Sequence, residues 1–107
     1  MKIPKDLLHR FFCEGNDVRC KHIRTIISAM REGFVLEFIY RDNGESTYMM
    51  AAPICVKYNS GQWLLLGLDH ENKPKAYDID NITNIGEHWE TITLPANFDY
   101  HRFAMRF

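Results

Sequence analysis

The hydrophobic and polar positions divide the chain into two amphipathic segments, five apolar or alternating runs and an aromatic tail. The clearest run lies between Gly61 and Asp69, where Trp63 and four leucines follow a turn and precede a polar loop. A short apolar run bounded by turn residues predicts a strand that is buried on both faces. We therefore expect this strand to form the centre of a sheet.

Two helices are predicted ahead of the strands. The first has four apolar residues at helical spacing, which are Leu7, Leu8, Phe11 and Phe12. The second has an apolar stripe with the spacing i, i+3, i+4 and i+7, which is formed by Ile23, Ile26, Ile27 and Met30. Asn16 or Asp17 can cap this second helix, and Gly33 ends it.

Five strands are predicted after the helices, over residues 35–40, 46–58, 61–69, 75–79 and 82–92. Asp42-Asn43-Gly44 is a hairpin signal between the first two, and Pro53 predicts a bulge or an edge position in the second. Parallel βαβ units are excluded because no helix-length segment separates the strands. The predicted fold is mainly β with N-terminal helices (α+β), a small bent antiparallel barrel.

The predicted organisation is one domain, with residues 1–33 as helices packed on the barrel and residues 34–107 as the barrel with its aromatic tail. The tail, residues 94–107, is too aromatic for a free linker, so we expect it to lie across the barrel or a partner subunit. One small barrel has little surface on which to bury both the tail and the first helix. The sequence therefore favours a homo-oligomer, most simply a dimer.

Composition and charge narrow the function classes. The 107 residues contain no membrane-length apolar stretch and no apolar signal-peptide core near Met1, so we expect a cytoplasmic protein without membrane contact. Residues 1–33 carry seven Lys or Arg and four Asp or Glu, a net charge of +3; residues 34–107 carry six and ten, a net charge of −4. The three cysteines are interpreted as reduced packing residues, and the scattered histidines predict no metal site and no cofactor.

Few residues suggest chemistry. Trp63 and Tyr77 are candidates for stacking a base or for core packing, and Lys75 is a phosphate ligand or a solvated strand-end lysine. Asp78 and Asp80 share a strand face, but the sequence shows no environment that would raise their pKa values for acid–base work, and turn or surface roles fit them better. Cys55 has no His–Asp partner at a recognisable spacing, so we do not expect an enzyme.

Several segments together resemble a known family. Gly61-Gln62-Trp63-Leu64-Leu65 stands where that family has Gly-x-Trp-Tyr-Leu. The stretch from Lys75 to Ile82 stands where it has Arg-x-Phe-x-Leu-Asp-Arg-Ile. With Tyr40, Pro53 and the segment at residues 95–99, the order and spacing over residues 23–103 resemble the WYL domain, an SH3-like or Sm-like β-barrel found mostly in bacterial transcriptional regulators.

The resemblance implies a pocket that senses a negatively charged ligand, such as a nucleotide or a nucleic acid fragment. The implied ligand-binding positions are Trp63, Leu64, Lys75, Tyr77, Asn81 and Met49. Leu64 replaces the family tyrosine, whereas Met49, Lys75 and Asn81 replace arginines, so one cation of three is kept. Neither Met nor Asn supplies the two-pronged fork with which arginine binds phosphate.

The sequence thus predicts a non-catalytic ligand-sensing or interaction module of a bacterial regulatory system, in transcription or defence. The alternative is an oligomerisation module whose ligand pocket has been lost. We expect weak or no binding to duplex DNA by this chain alone, because residues 1–33 leave no room for a winged helix-turn-helix. A basic patch on the second helix, with Arg19, Lys21, Arg24 and Arg31, is either solvated or a contact surface for nucleic acid or an acidic partner.

Overall fold

The computed structural model describes residues 17–107, and the first predicted helix lies outside them. In chain order the elements are α1 (Val18–Glu32), β1 (Phe34–Asp42), β2 (Glu45–Asn59), β3 (Gln62–Leu68), β4 (Pro74–Asp78), a 3-10 turn (Ile79–Asn81), β5 (Ile82–Thr91) and α2 (Tyr100–Ala104). The strands form one antiparallel sheet in the order β4-β3-β2-β1-β5. The α+β prediction is confirmed. The sheet is not closed into a barrel, because β4 and β5 remain as two separate edges.

Helix α1 begins and ends where the sequence predicts. The Asp17 carboxylate accepts a hydrogen bond from the Cys20 backbone N–H at 2.8 Å, which identifies Asp17 as the N-cap. The Gly33 N–H donates to the Ala29 carbonyl at 2.8 Å and closes the helix. The four residues of the predicted apolar stripe are all buried against the sheet.

Strand β2, rather than β3, is the centre of the sheet, which corrects the expectation from the apolar run. Its 15 residues pair with β1 up to Ala51 and with β3 from Ala52 onward. The register shifts between Pro53 and Cys55, as expected for a proline that cannot donate to the ladder. A Cβ atom on Gly67 would lie 2.5 Å from the Ala52 carbonyl oxygen, so only glycine allows β3 to approach β2 here.

Buried side chains lie on both faces of the sheet. Leu65 and its cross-strand partners Val56 and Tyr77 are buried on the inner face, in one cluster with α1. On the outer face of β2 and β3, Cys55 and Leu66 are opposite each other and also buried. Both faces of β3 are therefore buried, as its continuous apolar run predicts.

The aromatic tail packs on the sheet of its own chain. Tyr100 and Phe103 of α2 are buried, and Phe98 contacts both of their rings at centroid distances of 5.0 and 5.8 Å. The Lys57 ammonium group donates to the Ala104 carbonyl at 3.2 Å, which ties the tail to β2. The first of the two expected positions, across the sheet, is the observed one.

The cysteines differ from one another. Cys55 is free and 1% exposed, as expected for a packing residue. Cys20 takes part in a disulfide bond, so the interpretation of all three cysteines as reduced thiols is wrong.

The two edges of the sheet are short or irregular. Strand β4 has five residues and begins with Pro74. Strand β5 is longer, but its pairing with β1 shifts register twice, and Asn84 has a positive φ of 53°. None of the described helices is long and apolar enough to cross a membrane.

Two adjacent leucines of β3 offer a test of this architecture. Leu65→Ala removes a side chain with 0% exposure from the inner core, and we expect it to lower the free energy of unfolding by about 2–5 kcal/mol. Leu64→Ala is the matched control, because Leu64 is half-buried on the opposite face, and its loss should be below about 2 kcal/mol. Urea denaturation of both variants checks the prediction, and equal losses would contradict the assigned faces.

Candidate functional site

Of the predicted site residues, Tyr77 lies within the core. Its ring lies edge-to-face against Phe38 and Tyr40, with 5.2 Å between ring centroids in each pair. Only 5% of Tyr77 is exposed, and burial raises the pKa of its hydroxyl. A base has no free face on which to stack here, so Tyr77 contributes shape rather than a contact surface.

Trp63 lies near the turn between β2 and β3, half-buried at the border of the core. Its cross-strand partner is Tyr58, and their ring centroids are 4.9 Å apart with a tilt of 56°. Tyr58 is 55% exposed. The pair presents an aromatic surface that a base or an apolar side chain can contact.

Lys75 lies toward the other end of the same ladder. It is exposed and pairs with Gly67, four residues after Trp63 on β3, which is about 13 Å along the strand. Lys75 also lies near a carboxylate: the pKa of Asp69 is lowered chiefly by a hydrogen bond from the Lys73 backbone, and the charge of Lys75 adds to the shift. The aromatic pair and the lysine are therefore separate features.

The other three predicted site residues occupy different environments. Met49 is opposite Phe38 on β2 and half-buried against the core, so it borders the aromatic cluster of Tyr77. Leu64 lies on the face of β3 opposite to Trp63, because successive strand residues alternate between faces. Asn81 is exposed at the end of the 3-10 turn. The structure brings Met49 and Tyr77 together through Phe38 and leaves Leu64 apart.

Cys55, Asp78 and Asp80, the candidates for catalysis, have structural roles in the fold. Burial raises the pKa of the Cys55 thiol to about 11, which keeps it protonated and weakly nucleophilic. The Asp78 carboxylate accepts from the Asp80 backbone N–H at 3.0 Å and caps the 3-10 turn. Within residues 17–107, no group of three His, Cys, Asp or Glu side chains is placed to hold a metal ion.

A cavity of about 270 Å³ lies at the corner where β2 changes partner. Half-buried apolar residues such as Val35, Met50 and Leu68 line it, together with Asp69 and Glu90. None of the six predicted site residues contributes to its lining. No local sequence signal indicates this cavity, since its lining residues come from separate segments of the chain.

Comparison with known proteins identifies the family. The family model for the WYL domain matches residues 21–86, which include most of α1 and most of the sheet. The chain belongs to the WYL domain family. No curated protein matches it.

A solved structure shares the WYL fold. Proteasome accessory factor B/C (PafBC) of Arthrobacter aurescens superimposes with a TM-score of 0.69 at 19% sequence identity. The alignment covers 80% of this chain and 14% of that chain, so this chain spans a small part of the length of its structural relative. At that identity the likeness shows the shared fold.

An ion pair joins the WYL fourth-strand motif to α1. The Arg19 guanidinium donates two hydrogen bonds to the Asp80 carboxylate, from Nε at 2.8 Å and from Nη2 at 2.6 Å. These bonds lower the pKa of Asp80. Asp80 stands where the family motif has its aspartate, and its carboxylate is engaged by the helix. The sequence offered both residues, but not their pairing, because 61 positions separate them.

The pH dependence of this pair can be tested with a double-mutant cycle. Because the pKa of Asp80 is lower in the folded chain, its contribution to stability is full above the unfolded value of about 3.9 and is lost as the pH falls through the folded value. We expect Arg19→Gln and Asp80→Asn to show a stabilising coupling at neutral pH that disappears in acid, in urea unfolding. The exposed pair Lys73 and Glu71 is the control, with little coupling at any pH. A coupling that persists unchanged into strong acid would contradict the prediction.

Proposed function

We propose that this chain is a non-catalytic module of a bacterial regulatory system, located in the cytoplasm, which acts by binding. The observation that carries the proposal is the WYL match over residues 21–86. Two modes of binding follow from the sequence: sensing of an anionic ligand, or interaction with a protein. Sensing of an anion requires positive charge around Lys75, Met49 and Asn81, whereas a neutral or apolar surface there favours interaction with a protein.

The surroundings of these three positions favour protein interaction. Met49 is apolar and half-buried, and Asn81 is neutral. Lys75 is the one cation among them and lies near the carboxylate of Asp69. A phosphate needs clustered cations or an arginine fork, and these positions offer neither. We therefore place protein interaction first and anion sensing second.

Anion sensing keeps one specific support. The pair of exposed Tyr58 and half-buried Trp63 can stack a base, and Lys75 can reach a phosphate of a ligand that spans about 13 Å along β3. A short single strand has that length, whereas a mononucleotide is small for it. This mode would be restricted to single-stranded nucleic acid.

Fluorescence anisotropy with a labelled single strand and a labelled duplex separates the two modes. We expect little duplex binding at about 200 mM salt, because the sheet segment carries a net charge of −4 and repels phosphate. Single-strand binding that is lost in Lys75→Ala, but kept in the control Lys73→Ala, would make anion sensing the leading function. Submicromolar duplex binding at that salt concentration would overturn the expectation.

Oligomerisation is the alternative function. Of the two sequence observations behind it, the tail now contributes Tyr100 and Phe103 to the core of its own chain, and the first helix lies outside the described residues. The support that remains is exposed apolar surface, above all Trp89 at 80% and Met105 at 82%. A dimer proposal therefore rests on Trp89 and Met105, and no longer on the aromatic residues of the tail that are buried in its own chain.

Light scattering tests self-association directly. If the exposed apolar residues form a subunit interface, the chain is a dimer at high micromolar concentration, and Trp89→Ser shifts it toward monomer. Tyr58→Ser is the control, since Tyr58 is also exposed but lies at the β2–β3 turn. A monomer at all concentrations would count against the oligomerisation module.

A further inference from the structure

A cluster of acidic and aromatic side chains lies on the outer face of β1, β2 and β5. The Tyr48 hydroxyl donates to Glu37 Oε2 at 2.9 Å. The same Glu37 oxygen lies 3.8 Å from His88 Nε2, and His88 Nδ1 lies 3.9 Å from Glu90 Oε1. The pKa of Tyr48 is raised by its hydrogen bond to Glu37, and the charge of Glu90 adds to the shift. Glu37 therefore bonds directly to Tyr48, and His88 lies between Glu37 and Glu90.

The histidine in this cluster lies near both carboxylates without a side-chain hydrogen bond to either one. Its Nδ1 accepts a hydrogen bond from the Glu90 backbone N–H at 3.2 Å. The side chains of Glu37 and Glu90 remain 40% and 49% exposed, open to a partner from solvent.

Exposed aromatic residues flank the two carboxylates. Trp89 is 80% exposed, and its ring lies 5.1 Å from that of His88. Tyr48, which donates to Glu37, is 55% exposed. Aromatic rings beside carboxylates suit a cation with an apolar stem, because the ring faces and the carboxylates both attract positive charge.

The cluster continues into the cavity at the bend of β2. Glu90 belongs to both, and Met50, which lines the cavity, is the cross-strand partner of Glu37. Asp69 also lines the cavity, and both hydrogen bonds to its carboxylate go to Oδ1, at 2.8 and 3.0 Å. Its Oδ2 has no hydrogen-bond donor among the described residues.

We propose that this face, from Tyr48 and Trp89 through Glu37 and Glu90 to the cavity at Asp69, docks a basic extended segment of a partner protein. A lysine or arginine stem fits a cavity with an apolar lining and a carboxylate at its edge, and a second basic residue pairs with Glu37 beside the aromatic rings. The proposal rests on the proposed binding function and specifies the partner. Nucleic acids and anionic membranes are disfavoured, because the exposed carboxylates of Glu37 and Glu90 face them.

The test uses the complete chain and two labelled peptides of about eight residues, about 26 Å long when extended. One alternates arginine with leucine, and the other has glutamate in place of arginine. We expect only the basic peptide to bind in fluorescence anisotropy at physiological salt. Glu37→Gln/Glu90→Gln should weaken its binding about fivefold or more, and Trp89→Ser should weaken it as well.

The matched control is Glu32→Gln/Glu45→Gln, which changes the net charge equally at exposed positions away from this face. We expect less than about a twofold effect from it. Equal weakening by both pairs, equal binding of both peptides or no binding of the basic peptide would overturn the proposal. All variants keep a hydrogen-bonding side chain at the mutated glutamates, and circular dichroism verifies that they fold.

Two further readouts separate this proposal from the function on which it rests. If single-strand binding depends on Lys75 and the basic peptide does not bind, the docking face is overturned and the proposed binding module stands. If neither the single strand nor the basic peptide binds, both the docking face and the binding module are overturned. Light scattering tests whether a second copy of this chain occupies the face instead. If the chain is a dimer that Glu37→Gln/Glu90→Gln dissociates, the basic face of α1 in a second copy fills the site, and the partner-protein proposal is wrong.

Discussion

The architecture depends on the change of partner that β2 makes between Ala51 and Pro53. A strand of this length can pair with β1 over one half and β3 over the other only if its backbone bends between them. Proline fits this bend because the ladder is interrupted there in any case, and Gly67 fits because no Cβ can stand beside the Ala52 carbonyl. The two half-sheets, the aromatic cluster between them and the cavity at the corner all follow from this one bend.

Local patterns in the sequence predicted α1 and the five strands, but not the short helix α2 or the pairing of distant segments. The stripe of α1, its caps, the bulge at Pro53 and the burial of β3 on both faces depend on neighbouring residues, and each is as predicted. The position of β3 in the sheet was wrong, since an apolar run indicates burial but not the number of strands on either side. The prediction of a closed barrel was wrong for the same reason, because the number of strands does not determine whether β4 and β5 pair with each other.

In the candidate site, too, the sequence indicated single positions but not which of them are neighbours in the fold. A family motif names positions along the chain, whereas alternation and register decide which positions meet. Leu64 follows Trp63 directly and therefore faces away from it, while Met49 and Tyr77 become neighbours through Phe38. The Arg19–Asp80 ion pair and the Tyr48–Glu37 hydrogen bond likewise join positions that no spacing rule connects.

The irregular edges of the sheet limit how this domain can recognise other molecules. A free, flat edge strand invites another backbone to continue the ladder, which is the first step of both strand addition and fibril growth. Pro74 and the shortness of β4 close one edge, and the double register shift with the left-handed Asn84 distorts the other. Specificity must then come from side chains rather than from a generic backbone ladder. A crowded cell could hold many copies of such a domain with little risk of edge-to-edge aggregation.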